Sequence, residues 1–152
     1  MEQYGIEHRV LDCDPDHADT AVFCAHYGYA VGLAANAIIV ATKGEPVQYA
    51  CCVLLATTRL DVNKKVRQLL GGCRASFASA QQTLELTGMQ IGGVTPFGLP
   101  AIPLYVDSAV FDCDEVIAGG GNRTSKVMLN PHEFVKLPNM QTVEGLAVPK
   151  NA

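Results

Sequence analysis

Apolar positions along this chain fall in short blocks, and their period changes several times between the glycines and prolines that separate them. Residues 1–13 read as a short extended lead-in. Asp14-Pro15-Asp16 then offers an acceptor side chain followed by proline, the start signal of a helix. Ala18, Ala21, Val22, Ala25 and Tyr29 recur after it at helical spacing, and Gly28 ends the run. Residues 37–42 are β-branched and nearly continuous in apolar character, which predicts a buried strand. Lys43-Gly44-Glu45-Pro46 is turn chemistry, and 47–56 returns as a second strand, so the two form a hairpin. Asp61 caps a helix of about nine residues. Val62, Val66, Leu69 and Leu70 make its inner face, Lys64, Lys65, Arg67 and Gln68 its outer one, and Gly71-Gly72 ends it.

The second half alternates in the same way. A short strand is expected over 74–77. Ser79-Ala80-Gln81-Gln82 is a capping box, and the helix it starts ends at Gly88. Further strands are expected over 102–107, 116–118 and 126–129. Asn130-Pro131-His132-Glu133 begins a last helix that Pro138 stops, 141–144 adds a final strand, and the tail beyond is expected to be loose. The count is six or seven strands and four helices, with hairpins and helix crossovers mixed. The expected architecture is α+β, a curved mixed, mostly antiparallel sheet flanked by helices, in a single domain spanning 1–152.

Composition narrows the functions this fold can carry. Hydrophobic residues make up 49% and charged residues 17% of the 152 positions, which suits a packed core rather than disorder. The net charge of −4 argues against a protein that wraps nucleic acid, yet permits one that grips only its tip. No apolar run reaches the ~18–20 residues of a membrane span. The N-terminus lacks the charged-then-apolar plan of a secretory signal, so a cytoplasmic protein with no membrane partner is expected. The cysteines at 13, 24, 51, 52, 73 and 113 include no C-x-x-C pair, and read as small buried hydrophobes in a reducing compartment. His17, Cys24 and His26 come nearest to a ligand set, but their spacing is not that of a zinc site, and no metal or cofactor is expected.

Two glycine-rich stretches carry the candidate chemistry. Gly92-Gly93-Val94-Thr95-Pro96-Phe97-Gly98 is neither helix nor regular strand. Glycine admits positive φ and close approach to the main chain, while proline fixes φ, so the stretch reads as a shaped loop with N–H groups for a small polar ligand. Gly119-Gly120-Gly121-Asn122-Arg123 is a second such turn. Tyr27, Tyr29, Phe97 and Met128 are candidate pocket walls.

The order of these parts resembles the YbaK/ProX/EbsC family, stand-alone aminoacyl-tRNA editing domains also found inserted in prolyl-tRNA synthetases. The resemblance runs from about Asp19 to Glu144. Leu60-Asp61 opening a Lys-rich helix is similar to the family's R-L-D-x-x-K. Glu85-Leu86-Thr87-Gly88 followed by Gly92 to Gly98 is similar to its T-G…G-G-V-S-P-F-G, Pro103 to Asp107 to its L-P-V-Y-V-D, and Gly119 to Arg123 to its G-x-G-x-R. The resemblance implies a trans-acting hydrolase that cleaves the ester of a mischarged tRNA, such as cysteine or alanine on tRNA for proline. It implies the tRNA 3′ acceptor end as a weak, local partner and an aminoacyl-tRNA synthetase as a second one. Substrate-binding positions would be Gly92, Gly93, Val94, Thr95, Pro96, Phe97, Gly98, Gly119, Gly120, Gly121 and Arg123. Family members rely on positioning and water rather than a protein nucleophile.

The chain departs from the family at two points. The family's lysine before the first hairpin strand is Asn36 here, and the aspartate after the second glycine turn is Lys126. If both strands line one pocket, the amine has changed walls, with Lys126 as the catalytic cation and Asn36 as its neutral partner, able both to donate and to accept. The alternative is a catalytically inactive module on the same fold that binds an aminoacyl or nucleotide ligand, or a synthetase.

Overall fold

The computed structural model describes residues 5–43, 46–90 and 94–149. Gly44 and Glu45 of the expected hairpin turn, Gly92 and Gly93 of the first glycine loop, residues 150–152 and the Ala21 side chain lie outside the described residues. In chain order come β1 (Arg9–Asp12), a 3-10 turn (Pro15–His17), α1 (Thr20–Tyr27), a 3-10 turn (Val31–Leu33), β2 (Ala35–Thr42), β3 (Tyr49–Leu55) and β4 (Thr58–Leu60). A π-helical turn (Val62–Val66) runs into α2 (Arg67–Leu69), followed by β5 (Ala75–Phe77), α3 (Ala80–Thr87) and β6 (Leu104–Asp107). A 3-10 turn (Ser108–Asp112), β7 (Val116–Gly119), β8 (Ser125–Leu129), a 3-10 turn (Pro131–Lys136), β9 (Met140–Val143) and β10 (Ala147–Pro149) complete the order.

The strands form three sheets rather than the one expected: β5-β2-β3-β6-β9, β1-β8-β7 and β10-β4. Pairing is antiparallel except where β6 lies parallel to both β3 and β9, so the α+β, mixed and mostly antiparallel reading stands. Parallel neighbours need long connections, and the stretch from β4 to α3 supplies one between β3 and β6.

Alternation along the central hairpin divides the interior in two. Ala35, Ile39, Ala41, Cys51 and Val53 face one core with Val106, Val116, Val127 and Phe134. Val40, Ala50, Cys52 and Leu54 face another with Leu60, Val66, Leu70 and Leu146. Adjacent strand residues point to opposite faces, so Cys51 and Cys52 enter different cores, and both are free thiols. Burial pushes the Cys52 thiol up to about 12, and Cys51 is raised well above its ordinary value for the same reason.

Local signals held where a side chain satisfies a helix end. The Ser79 hydroxyl accepts from Gln82 N at 3.0 Å while Gln82 Oε1 accepts from Ser79 N at 2.9 Å. Asp61 Oδ1 accepts from Lys64 N at 3.3 Å, and Gly28 closes α1 at φ 79°.

Three expectations need correction. The helix expected from Asp14 is two pieces, because the chain breaks at Ala18-Asp19 and resets the helical phase. Phe23 and Cys24 are therefore buried, while Val22 and Ala25 of the expected stripe are exposed. The last helix is a single 3-10 stretch over Pro131–Lys136, capped by Asn130. The tail is not loose, since Ala147 registers with Leu60 and Pro149 with Thr58. These three-residue strands carry no alternation long enough to read; what holds them is Leu60 and Leu146 in the second core.

Asp107 ties that tail to β6. Its carboxyl is 3% exposed and accepts backbone N–H bonds from Ser108, Ala109, Leu146 and Ala147. Burial raises its pKa above the ordinary 3.8, and the four N–H groups oppose the rise. The folded state thus binds the proton more tightly than the unfolded one, and the ionised form costs stability as pH climbs through that window. Asp107→Asn keeps an acceptor without the charge, whereas Asp107→Ala strands the N–H groups at about 1–3 kcal/mol. Urea unfolding at pH 7 should place Asn, which keeps one of the two acceptor oxygens, between wild type and Ala; equal losses would contradict this role.

Candidate active site

Lys126 lies on β8, the middle strand of its sheet, in register with Leu11 on β1 and Gly119 on β7. A middle strand has neighbours on both sides, and the lysine is only 5% exposed. Gly119 opposite it carries no side chain, which leaves room beside the lysine stem. The Nζ stands 5.8 Å from the Phe23 ring centroid, a cation–π distance. A single parallel bridge, Ala34 to Ile117, sets the start of β2 against β7. That contact carries Asn36 to the wall of the same cavity.

The cavity holds about 250 Å³. Its walls are the start of α1, the first half of β2, Val94, and the adjoining ends of β7 and β8. Asn36 Oδ1 accepts from the Thr20 hydroxyl at 2.5 Å. With the oxygen so committed, the carboxamide has its N–H groups to offer a ligand. Burial lowers the Lys126 pKa below the ordinary 10.5; Cys13 and Asp19 pull it back up, and Arg123 pushes it further down. Asp19 is in turn held by Arg123, whose Nη1 lies 3.3 Å from Asp19 Oδ1 while Nη2 donates to Pro15 O at 2.9 Å. The arrangement can put a cationic donor and an amide donor on one polar atom of a small ligand.

Of the positions expected from the sequence, Asn36, Lys126, Val94 and Gly119 share this cavity. The others lie elsewhere. Phe97 is buried, stacks on Phe134 at 5.9 Å and donates its N–H to Thr95 Oγ1 at 3.5 Å. Pro96 and Gly98 line a separate cavity beside Leu137 and Asn139. Gly120 packs on Ser125, and its N–H donates to Ser125 O at 3.2 Å. Gly121, at φ +95°, is where the two loops meet, for a Cβ there would touch Thr95 Cγ2 at 3.6 Å. Arg123 is turned toward Pro15 and Asp19. Gly92 and Gly93 lie outside the described residues.

The aromatic wall is Phe23, with Tyr27 and Tyr29 packed around it at 4.7 and 5.7 Å and Met128 buried in the same cluster. Sequence reading missed Asp19, Thr20 and Phe23. The signal was present in Asp19-Thr20, an acceptor and a hydroxyl at a helix start, but Asp14-Pro15 five residues earlier looked stronger. His17 stacks on His26 at 3.8 Å, and among the described residues no group of three or more His, Cys, Asp or Glu side chains is placed to hold a metal ion.

With this geometry in place, the comparisons with known proteins are specific. The sequence profile of the family described as the aminoacyl-tRNA editing domain matches residues 14–137. Over 119 residues the chain is 30% identical to the multifunctional Ser/Thr-tRNA deacylase ProXp-y of Escherichia coli (strain K12), covering 76% of this chain and 71% of that protein. The crystal structure of hypothetical protein APE2540 superposes with a TM-score of 0.85 at 25% identity, over 97% of this chain and 95% of the other. A crystallised protein proposed to be a trans-editing enzyme for prolyl tRNA synthetase superposes at 0.80 and 24% identity, over 94% and 89% of the two chains, which speaks to the fold alone.

The turn beside Lys126 gives a direct test of the packing. A Cβ at Gly120 would come within 2.7 and 2.8 Å of the Ser125 carbonyl oxygen and carbon, and backbone cannot step aside cheaply. Gly120→Ala should cost about 1–3 kcal/mol in urea unfolding through overpacking. Gly32→Ala, where a Cβ meets nothing within 4 Å, should leave stability unchanged or slightly raised. Equal stability of both variants would contradict the close approach.

Proposed function

The chain belongs to the aminoacyl-tRNA editing domain family, and from that premise we propose that it hydrolyses the ester of a mischarged tRNA in the cavity shared by Lys126 and Asn36. The observation that carries the reading is the meeting of those two side chains on one small polar cavity. At about 250 Å³ it is at the small end of ligand pockets, which suits an aminoacyl group with the nucleotide left outside.

In this reading the ester carbonyl oxygen sits between the Lys126 ammonium and the Asn36 amide N–H. Water adds to the carbonyl carbon, and the developing oxyanion is held by those two donors. The carbon–oxygen bond to the ribose then breaks, the departing ribose oxygen takes a proton, and free amino acid and deacylated tRNA leave. In the same reading Asp19, which lines the cavity, receives the substrate's α-ammonium. Serine and threonine, the amino acids named for the Escherichia coli relative, are the first substrates to try, with alanine and cysteine beside them. The synthetase that charges the tRNA is a further candidate partner.

Deacylation of a panel of mischarged tRNAs tests this. Lys126→Ala should lower kcat about 10²–10³-fold, the usual loss for one oxyanion donor, and Asn36→Ala should lower it in the same direction. Enzyme-dependent hydrolysis, after subtraction of the spontaneous rate, should fall as pH rises through the lowered Lys126 pKa, below the ordinary lysine value. A Lys126→Ala enzyme as fast as wild type would refute the assignment. Wild type that binds tRNA yet hydrolyses nothing across the panel would make the chain a binding module.

A further inference from the structure

The cavity does not end at Asn36. Ala37, Ile38 and Val94 line both it and an apolar groove whose outer wall is Phe77 on β5. Strand β5 is the edge of the five-stranded sheet, and the Phe77 side chain is 57% exposed there. An aromatic ring left in water at a strand edge gains nothing from the core.

Three residues earlier on the same stretch the character changes. Arg74, Lys43 and Arg67 line a cleft of about 370 Å³ together with Asn63, and no carboxylate among the described residues lines it. Lys43 N donates to Arg74 O at 2.8 Å, which fixes the two chains side by side. None of the ion pairs among the described residues involves Lys43, Arg67 or Arg74. Arg67 has one fixed bond, from Nε to Gly72 O at 2.9 Å. On a chain of net charge −4 this cleft is a local field of opposite sign. At ~3.3 Å per residue, the backbones of Arg74 and Phe77 are roughly 10 Å apart along the strand edge.

A polar cavity, an exposed ring and a cationic cleft in sequence make the combination that single-stranded nucleic acid uses, bases stacking on aromatics while cations follow the backbone. We propose that the β5 edge is a track for the single-stranded 3′ end of an RNA, with its terminal base on Phe77 and the phosphates behind it at Arg74, Lys43 and Arg67. The polarity of the track rests on the deacylase reading, because the ester at the 3′ end must lie in the Lys126 cavity. RNA binding itself does not require that reaction.

The probe is a short, uncharged, 5′-fluorescent single-stranded RNA ending in CCA, free of any amino acid, titrated with the full chain over a range of salt by anisotropy. Phe77→Ala should bind about tenfold or more weakly, the usual loss of one stacked base. Phe77→Leu keeps the apolar bulk without the π face and should weaken binding in the same direction. Lys43→Glu with Arg74→Glu should reduce the slope of log K against log salt by roughly 0.7 for each phosphate no longer neutralised. Val135→Ala, at a residue 60% exposed outside the track, should bind as wild type does. Circular dichroism confirms that each variant is folded. No RNA binding by wild type at low salt, or affinity within twofold and an unchanged slope in the Phe77 and charge variants, would overturn the track. RNA binding with this pattern but no ester hydrolysis would retain the track and reject the deacylase reading.

Discussion

A lysine amine taken out of water must find something else to hold its charge, and the site depends on how Lys126 does so. Moving an ammonium into a protein interior costs several kcal/mol even after relaxation. On β8 the lysine is only 5% exposed. Relief comes from the Phe23 ring, from Asp19, and from the open space opposite at Gly119. Asp19 is held by Arg123, which also grips Pro15, so the start of α1 is fastened over the lysine by the residue that ends the second glycine turn. An apolar side chain of the same length would pack there at lower cost. The charge thus lowers stability, and the ester-binding role proposed above would account for its presence.

The second requirement is that two sheets meet at one point. The Ala34–Ile117 bridge joins the start of β2 to β7, and Asn36 lines the same cavity as Lys126. Thr20 fixes the amide by accepting none of its N–H groups and donating to its oxygen. The two side chains line one cavity from two different sheets, and neither lies on a loop. Sites built on regular elements hold their geometry more tightly than sites on loops.

How much of this was legible in the sequence follows from what each signal encodes. The hairpin of β2 and β3, the capping box at Ser79 and the left-handed glycine at Gly28 were readable because one or two adjacent residues determine them. The phase of α1 was not, since Asp14-Pro15 offers the stronger start signal while the helix itself begins after Asp19. Pairing of β4 with β10 joins segments far apart in the chain and leaves no periodic trace in three residues. The candidate site was legible in part. Asn36 and Lys126 stood out by departing from a family pattern, whereas Phe97, part of a loop that looked ligand-facing, went into the core. A glycine–proline motif shows that a loop is shaped, but not which of its faces looks at the ligand.

The central claim is that Lys126 and Asn36 together receive an ester carbonyl. The most direct measurement is a crystal structure with a non-hydrolysable amide analogue of 3′-aminoacyl adenosine. The aminoacyl carbonyl oxygen is expected within hydrogen-bond distance of both Lys126 Nζ and the Asn36 amide nitrogen, with the adenine outside the cavity toward Phe77. An aminoacyl group bound instead in the cavity between Pro96 and Asn139, with Lys126 untouched, would contradict it.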